Sequence, residues 1–238
     1  MKKQKLNKKH NSRTYILVVI SVVCTLIVLF IRGYKMFPLD AQAAEINANL
    51  SKISESISES LLTNLVNGLS SNPYDYIKDN ESYDSIIALG SSALPNLEDA
   101  LKSSTKDGLI EYIIAIAIEE IANTNIRSAD DMFWETPKGF LSVWQPFVSS
   151  VSERVNFILS SEMDDSKKVE EMKIYGILAL PELCRHMQVL ERSPTLLEYA
   201  RTLLFIATPE QHYSDSVKAS EIVNAVENDL DVLINYVG

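Results

Sequence analysis

The sequence predicts an all-α protein in which an N-terminal transmembrane helix precedes a helical array or compact helical bundle. Three observations predict it. Seven glycines and eight prolines in 238 residues are too few for a loop-rich or all-β chain. Apolar residues recur at steps of three and four along most of the length, the spacing of one helix face. One uncharged run, Thr14–Ile31, has the length and hydropathy of a membrane span.

The N-terminus comes first. Residues 1–13, MKKQKLNKKHNSR, form a basic tail. Residues 14–31 follow without a charge, and eighteen helical residues span roughly 27 Å. Six basic residues precede the run, whereas only Arg32 and Lys35 closely follow it. That excess predicts a signal-anchor with the N-terminus in the cytoplasm and the C-terminal domain outside the cell. Residues 32–40 then read as a juxtamembrane linker. Cleavage is the competing reading, since Ala-Gln-Ala at 41–43 fits a small-residue processing site. Cys24 lies within the run and Cys184 in a predicted helix, so no disulfide between them is expected.

The body, residues 41–238, carries most of the charge. Residues 1–35 hold eight of the 22 lysines and arginines and no acid, which leaves residues 36–238 with 14 basic residues against 32 acidic ones, a net of −18. Such a surface repels nucleic acid and anionic headgroups and admits a neutral or cationic partner.

Each element of the body has its own signal. Ile46, Leu50, Ile53, Ile57, Leu61, Leu65 and Leu69 mark a first amphipathic helix. It either packs on its own domain or forms a dimerising stalk. After the break at Asn72–Pro73, Tyr83, Ile86 and Leu89 face inward from a short helix. Gly90 ends it in the left-handed conformation, Ser91 or Ser92 caps the next helix, and Pro95 sits in that helix's first turn. Leu94, Leu97 and Leu101 form its stripe. LIEYIIAIAIEEIA, 109–122, reads as a helix buried on most sides.

The motif Gly90-x-x-Ala-Leu-Pro-x-Leu97 recurs as Gly176-x-x-Ala-Leu-Pro-x-Leu183. At the same offset Val169, Met172 and Tyr175 match Tyr83, Ile86 and Leu89. Leu180, Leu183 and Met187 likewise match Leu94, Leu97 and Leu101. Leu196-Leu197-Glu198-Tyr199 echoes Leu109-Ile110-Glu111-Tyr112 with one residue of slip. A unit of about forty residues is therefore written twice, near 82–123 and 168–208. The second copy departs from the first where Lys173 replaces Ile87 and where Ile177 and Leu178 replace the two serines. Between the copies, 125–147 is the least regular part, and Pro146 is expected to open the helix through Val148, Val151, Val155 and Ile158. Ser214 or Asp215 caps a last helix with Val217, Ile222, Val226, Leu230 and Leu233 inside.

A helix followed by Gly-x-x-Ala-Leu-Pro-x-Leu opening a second helix resembles the HEAT-type α-helical repeat. The stretch from Asn72 to Leu101, with the helix after it, also resembles helical domains in uncharacterised membrane-anchored proteins of spore-forming Gram-positive bacteria. The resemblance covers residues 72–208. It implies a stacked, curved helical array that binds other macromolecules and seldom does chemistry; taken with the membrane anchor, the partner expected is another cell-envelope protein.

Motifs for catalysis or cofactors are not found. Cys184 and His186, two apart, lack further ligands at zinc spacing. Asp130, Asp131, Asp164 and Asp165 lack the alternating oxygens and central glycine of a calcium loop. Glu119 and Glu120 diverge by about 100° on a helix, which places them poorly as an acid/base pair. No catalytic, cofactor or metal residue is assigned. The remaining candidates are Phe133, Trp134, Phe140 and Trp144. If exposed, they form an interaction surface; otherwise they fill the core. An envelope carbohydrate binder or hydrolase that uses acidic and aromatic side chains is the alternative to a non-enzymatic interaction module.

Overall fold

The computed structural model describes residues 41–60, 62, 70, 72–124, 126, 132–209 and 217–238. The basic tail, the Thr14–Ile31 segment, the linker, Leu61, Leu65, Leu69, Asp130, Asp131, Ser214 and Asp215 lie outside these residues. Among the described residues every regular element is helical, and no helix is long and apolar enough to cross a membrane. The chain divides into two units, Met1–Ala44 and Glu45–Gly238, and the hydrophobic core belongs to the second.

Helix α1 (41–60) buries Ile46, Leu50 and Ile53 in the common core, so this stretch packs on its own domain. A one-turn α2 (Tyr74–Ile77) leads to α3 (Glu81–Ala88). Asn80 caps α3 by accepting from the Ser82 and Tyr83 N–H groups, satisfying donors that a helix start leaves free. A 3-10 turn, Gly90–Ala93, feeds α4 (Leu94–Ser103), with Pro95 in its first turn. The Leu94–Leu97–Leu101 stripe is buried. The serines do not cap α4. Ser91 Oγ donates across the fold to Ala207 O (3.2 Å), and Ser92 Oγ donates to Leu89 O (2.9 Å). Because Gly90–Ala93 is already helical, α4 starts with its first donors satisfied by that turn and needs no side-chain cap.

Helix α5 (Leu109–Ala122) is buried on most sides and ends at left-handed Asn123. Helix α6 (Pro137–Ser160) corrects the expectation of an irregular segment up to Pro146. Thr136 caps it by accepting from the Gly139 N–H (3.0 Å), and Pro137 takes the first position, where a missing donor costs little. Pro146 lies inside the helix on its exposed side, where the carbonyl it deprives can turn to water.

The second half contains α7 (Asp165–Met172), a 3-10 stretch (Lys173–Ala179), α8 (Leu180–Arg185), α9 (Met187–Arg192) and α10 (Pro194–Ala207). The expected Leu180–Leu183–Met187 stripe breaks at its last member. His186 leaves helical geometry (φ −101°, ψ 41°), so Met187 is turned out and Leu190 takes the buried place. The expected last helix is two, α11 (Ala219–Asp229) and α12 (Asp231–Val237), split at Leu230. Val217, Ile222, Val226, Leu230 and Leu233 are all buried.

The two Gly-x-x-Ala-Leu-Pro corners fold alike. Gly90 has φ 63° and Gly176 φ 51°, and each precedes a helix with proline in its first turn. Their contacts are reciprocal. A Cβ on Gly90 would lie 2.9 Å from Ala207 O, at the end of α10. A Cβ on Gly176 would lie 2.1 Å from Ala122 O and 2.3 Å from Asn123 O, at the end of α5. Each corner thus rests on the third helix of the other half, an exchange of the isologous kind that closes on itself.

Candidate functional site

The four aromatic candidates part company. Trp134, Phe140 and Trp144 are at most 2% exposed, whereas Phe133 is 67% exposed. The first three therefore belong to the core, and the surface expected of the four reduces to Phe133. Their burial follows from α6. With the helix starting at Pro137, Phe140, Trp144 and Phe147 recur at steps of four and three on its inner face. Rings meet in series from Tyr112 through Trp134, Phe140, Trp144 and Phe147 to Tyr175, with centroids 5.2–5.8 Å apart. Such pairs add roughly 0.5–1.5 kcal/mol each beyond area burial.

The polar end of this series is a buried network. Trp144 Nε1–H donates to the Tyr236 hydroxyl (2.7 Å), and that hydroxyl donates to the Glu98 carboxylate. Gln145 (3.1 Å) and Lys102 (2.7 Å) also contact Glu98. Burial pushes the Glu98 carboxyl upward. Hydrogen bonds from Lys102, Tyr236 and Gln145 outweigh that push and hold it below its ordinary value. Burial and Glu98 together drive the Tyr236 hydroxyl well above its own. The network pins α4, α6 and α12 together, and each of its groups has a partner.

Glu111 behaves likewise. Burial raises it, and hydrogen bonds from the Ser104 hydroxyl (2.7 Å) and the Gly108 N–H (3.0 Å) lower it further than burial lifts it. Glu120 accepts from Tyr83 (2.7 Å), and Glu119 accepts from the Ile126 N–H (3.3 Å). Cys184 is buried, with its thiol pushed up to about 12 by burial and by Glu227. His186 approaches Glu182 at 3.4 Å. Among the described residues no group of three or more His, Cys, Asp or Glu side chains is placed to hold a metal ion.

One concavity differs from these closed networks. A volume of about 730 Å³ opens between the end of α5, the end of α7 and one face of α10. Its α10 wall is Tyr199, Thr202, Leu203 and Ile206; Lys173 and Ile174 line the side across from it. Glu170 and Glu171 stand on the rim, and Asn123 and Thr124 close the α5 end. The Tyr199 hydroxyl and Thr124 Oγ1 are both shielded from solvent, and neither has a hydrogen-bond partner among the described residues. Buried polar groups are almost always paired, and each exception calls for a reason.

The sequence carried one signal for this place, Lys173 in the second copy where the first has Ile87. The contributing residues are otherwise too far apart in the chain to be read as a motif.

No protein family, no curated protein and no solved structure matches this chain.

Proposed function

We propose that the chain is a membrane-anchored, non-enzymatic interaction or scaffold module acting outside the cytoplasmic membrane. In this reading Thr14–Ile31 is the signal-anchor, the N-terminus is cytoplasmic, and the helical body holds a cell-envelope protein. The HEAT-like reading of residues 82–123 and 168–208 is part of the proposal.

The observation that carries it is the contrast between the closed polar networks and the open concavity. A hydrolase acting through carboxyl groups needs an acid held protonated, hence raised, beside a second carboxylate. Glu98 and Glu111 are shifted the opposite way, and both serve as acceptors for neighbouring helices. A carbohydrate binder built on the two tryptophans needs their faces at the surface, and Trp134 and Trp144 are buried. An open, partly apolar trough instead lies between helices, a shape suited to holding part of another chain. The body's charge favours a neutral or cationic partner and disfavours nucleic acid.

The test is crosslinking of the full-length chain in intact cells, with identification of what is trapped, beside protease treatment of the same cells. An envelope protein trapped reproducibly and a body removed by protease are the expected results. Full protection from protease would sink the orientation. Glycan hydrolysis by the purified chain would sink the non-enzymatic reading.

A further inference from the structure

The two halves are written alike but finished differently along their third helices. On α5, Tyr112 lies beneath Trp134, with centroids 5.4 Å apart. One and two turns further on, Ile116 is buried, and Glu119 accepts from the Ile126 backbone N–H. The chain's own connection between the halves thus contacts the Tyr112 and Glu119 ends of this ridge. It offers an aromatic ring at one end and a backbone N–H at the other.

The matching ridge on α10 starts at Tyr199, the last residue of the echoed Leu-x-Glu-Tyr, and continues through Leu203 and Ile206 at the same spacing. These three residues form the wall of the concavity. No ring stacks on Tyr199 among the described residues, and its hydroxyl and Thr124 Oγ1 lack partners. Seven helical residues advance about 10 Å, the reach of roughly three residues of extended chain. On the rim, Lys173 Nζ pairs with Glu170 (2.6 Å), which leaves Glu171 without a cation among the described residues.

We propose that the α10 trough docks an extended segment of a partner protein that presents an aromatic side chain beside a basic residue. The aromatic ring takes the place over Tyr199 that Trp134 takes over Tyr112. The segment's basic residue faces Glu171, in keeping with a net charge of −18 over residues 36–238. This rests on the reading of the chain as an interaction module and adds to it a place and a partner chemistry.

The experiment uses the full-length chain in detergent micelles and a library of random heptapeptides displayed on phage. Enriched sequences are expected to share a tryptophan, phenylalanine or tyrosine next to lysine or arginine. The decisive variant is Thr202→Trp. Thr202 is exposed on the trough wall, so a large ring there fills the trough without entering the core. A synthetic peptide of the enriched sequence should lose about tenfold in affinity or more on this variant, while the thermal melt stays in place. Tyr199→Phe, which keeps the ring and removes only a shielded hydroxyl, should leave the peptide's affinity within about twofold. Equal binding to Thr202→Trp and the natural chain overturns the proposal, as does enrichment without an aromatic or with acidic flanks. Crosslinking in cells separates the two levels. Loss of the trapped protein on Thr202→Trp supports the trough. The same protein trapped undiminished overturns the trough and leaves the interaction reading standing. If nothing is trapped by the natural chain, the interaction reading itself fails, and the peptide result alone decides the trough.

Discussion

Replacing Gly176 by alanine tests the reciprocal corners. Two costs add at this position. The backbone sits at φ 51°, and a residue with a Cβ pays roughly 1–2 kcal/mol to stay there. The new methyl would also lie 2.1 Å from Ala122 O, 2.3 Å from Asn123 O and 2.7 Å from Asn123 C, all backbone atoms of the opposite half. Backbone cannot turn aside as a flexible side chain can, so overpacking adds about 1–3 kcal/mol. At Gly90 the conformational cost is similar, with φ 63°. There the nearest contacts are one carbonyl at 2.9 Å and the Pro209 ring at 3.1 Å, and a shift of a few tenths of an ångström relieves both. For a body of this size 1 kcal/mol is worth about 2–4 °C in Tm. Gly176→Ala should therefore lower the melting temperature by about 10 °C, and Gly90→Ala by about half as much. Far-UV circular dichroism of the full-length protein reads both. Asparagine separates the two costs, because it tolerates the left-handed region but keeps the Cβ. It should recover stability at Gly90 and little at Gly176. Equal losses at the two glycines, or a larger loss at Gly90, would refute the tight seating of the second corner on the end of α5.

Three further outcomes concern the core and its polar network. Trp134→Ala should cost about 3–5 kcal/mol in urea unfolding, and Phe133→Ala less than about 0.5 kcal/mol; the reverse order would return Trp134 to the surface. Glu98 and Glu111 are held below their ordinary value of 4.5, so the stability they contribute is complete above about pH 4.5 and is lost as pH falls through their folded-state values. The midpoint of unfolding should stay level near neutrality and drop in acid. Glu98→Gln should shrink the acid drop while lowering stability at pH 7 by about 1–3 kcal/mol, and an unchanged acid profile would count against the network. Cys184, buried and with its thiol pushed up to about 12, should resist iodoacetamide at neutral pH until denaturant is added; rapid labelling of that residue in the native protein, read by mass spectrometry, would contradict its burial.

The local part of the fold is legible in the sequence. Gly90 and Gly176 are readable because only glycine takes positive φ at so little cost. The stripes on α1, α4 and α11 are readable because a buried helix face repeats every three to four residues. Pro146 reads as a start, and is not one, because a proline signals both the opening and the interruption of a helix. The Thr136–Pro137 pair, a cap followed by proline at the first position, is the better signal. Met187 follows the pattern of Leu101 in sequence and breaks it in space because His186 ends α8 after six residues, a departure the stripe does not record. Trp134 cannot be placed from composition, since tryptophan serves cores and interfaces alike. The trough is the least legible feature. It joins residues 123–124, 170–174 and 199–206, whose nearness exists only once each corner has seated on the other half.

The two halves also differ in how their polar groups are paired. In the first half Tyr83 bonds Glu120, while Ser104 and the Gly108 N–H bond Glu111. In the second half Val169 stands where Tyr83 would, and among the described residues the Tyr199 hydroxyl and the Arg201 Nε are buried without partners, as is Thr124 Oγ1 at the end of the first half. Ser152 on α6 is a further buried hydroxyl of this kind. An unsatisfied buried group costs about 1–3 kcal/mol, against a total stability of only about 5–15 kcal/mol. A fold that needed α10 only as scaffold would gain by replacing Tyr199 with phenylalanine, a change of one atom that leaves the ring packing intact. The hydroxyl belongs to a ring that lines a trough whose counterpart residues on α5 meet the chain's own Trp134 and Ile126, which is why we propose that a partner's side chain meets that ring.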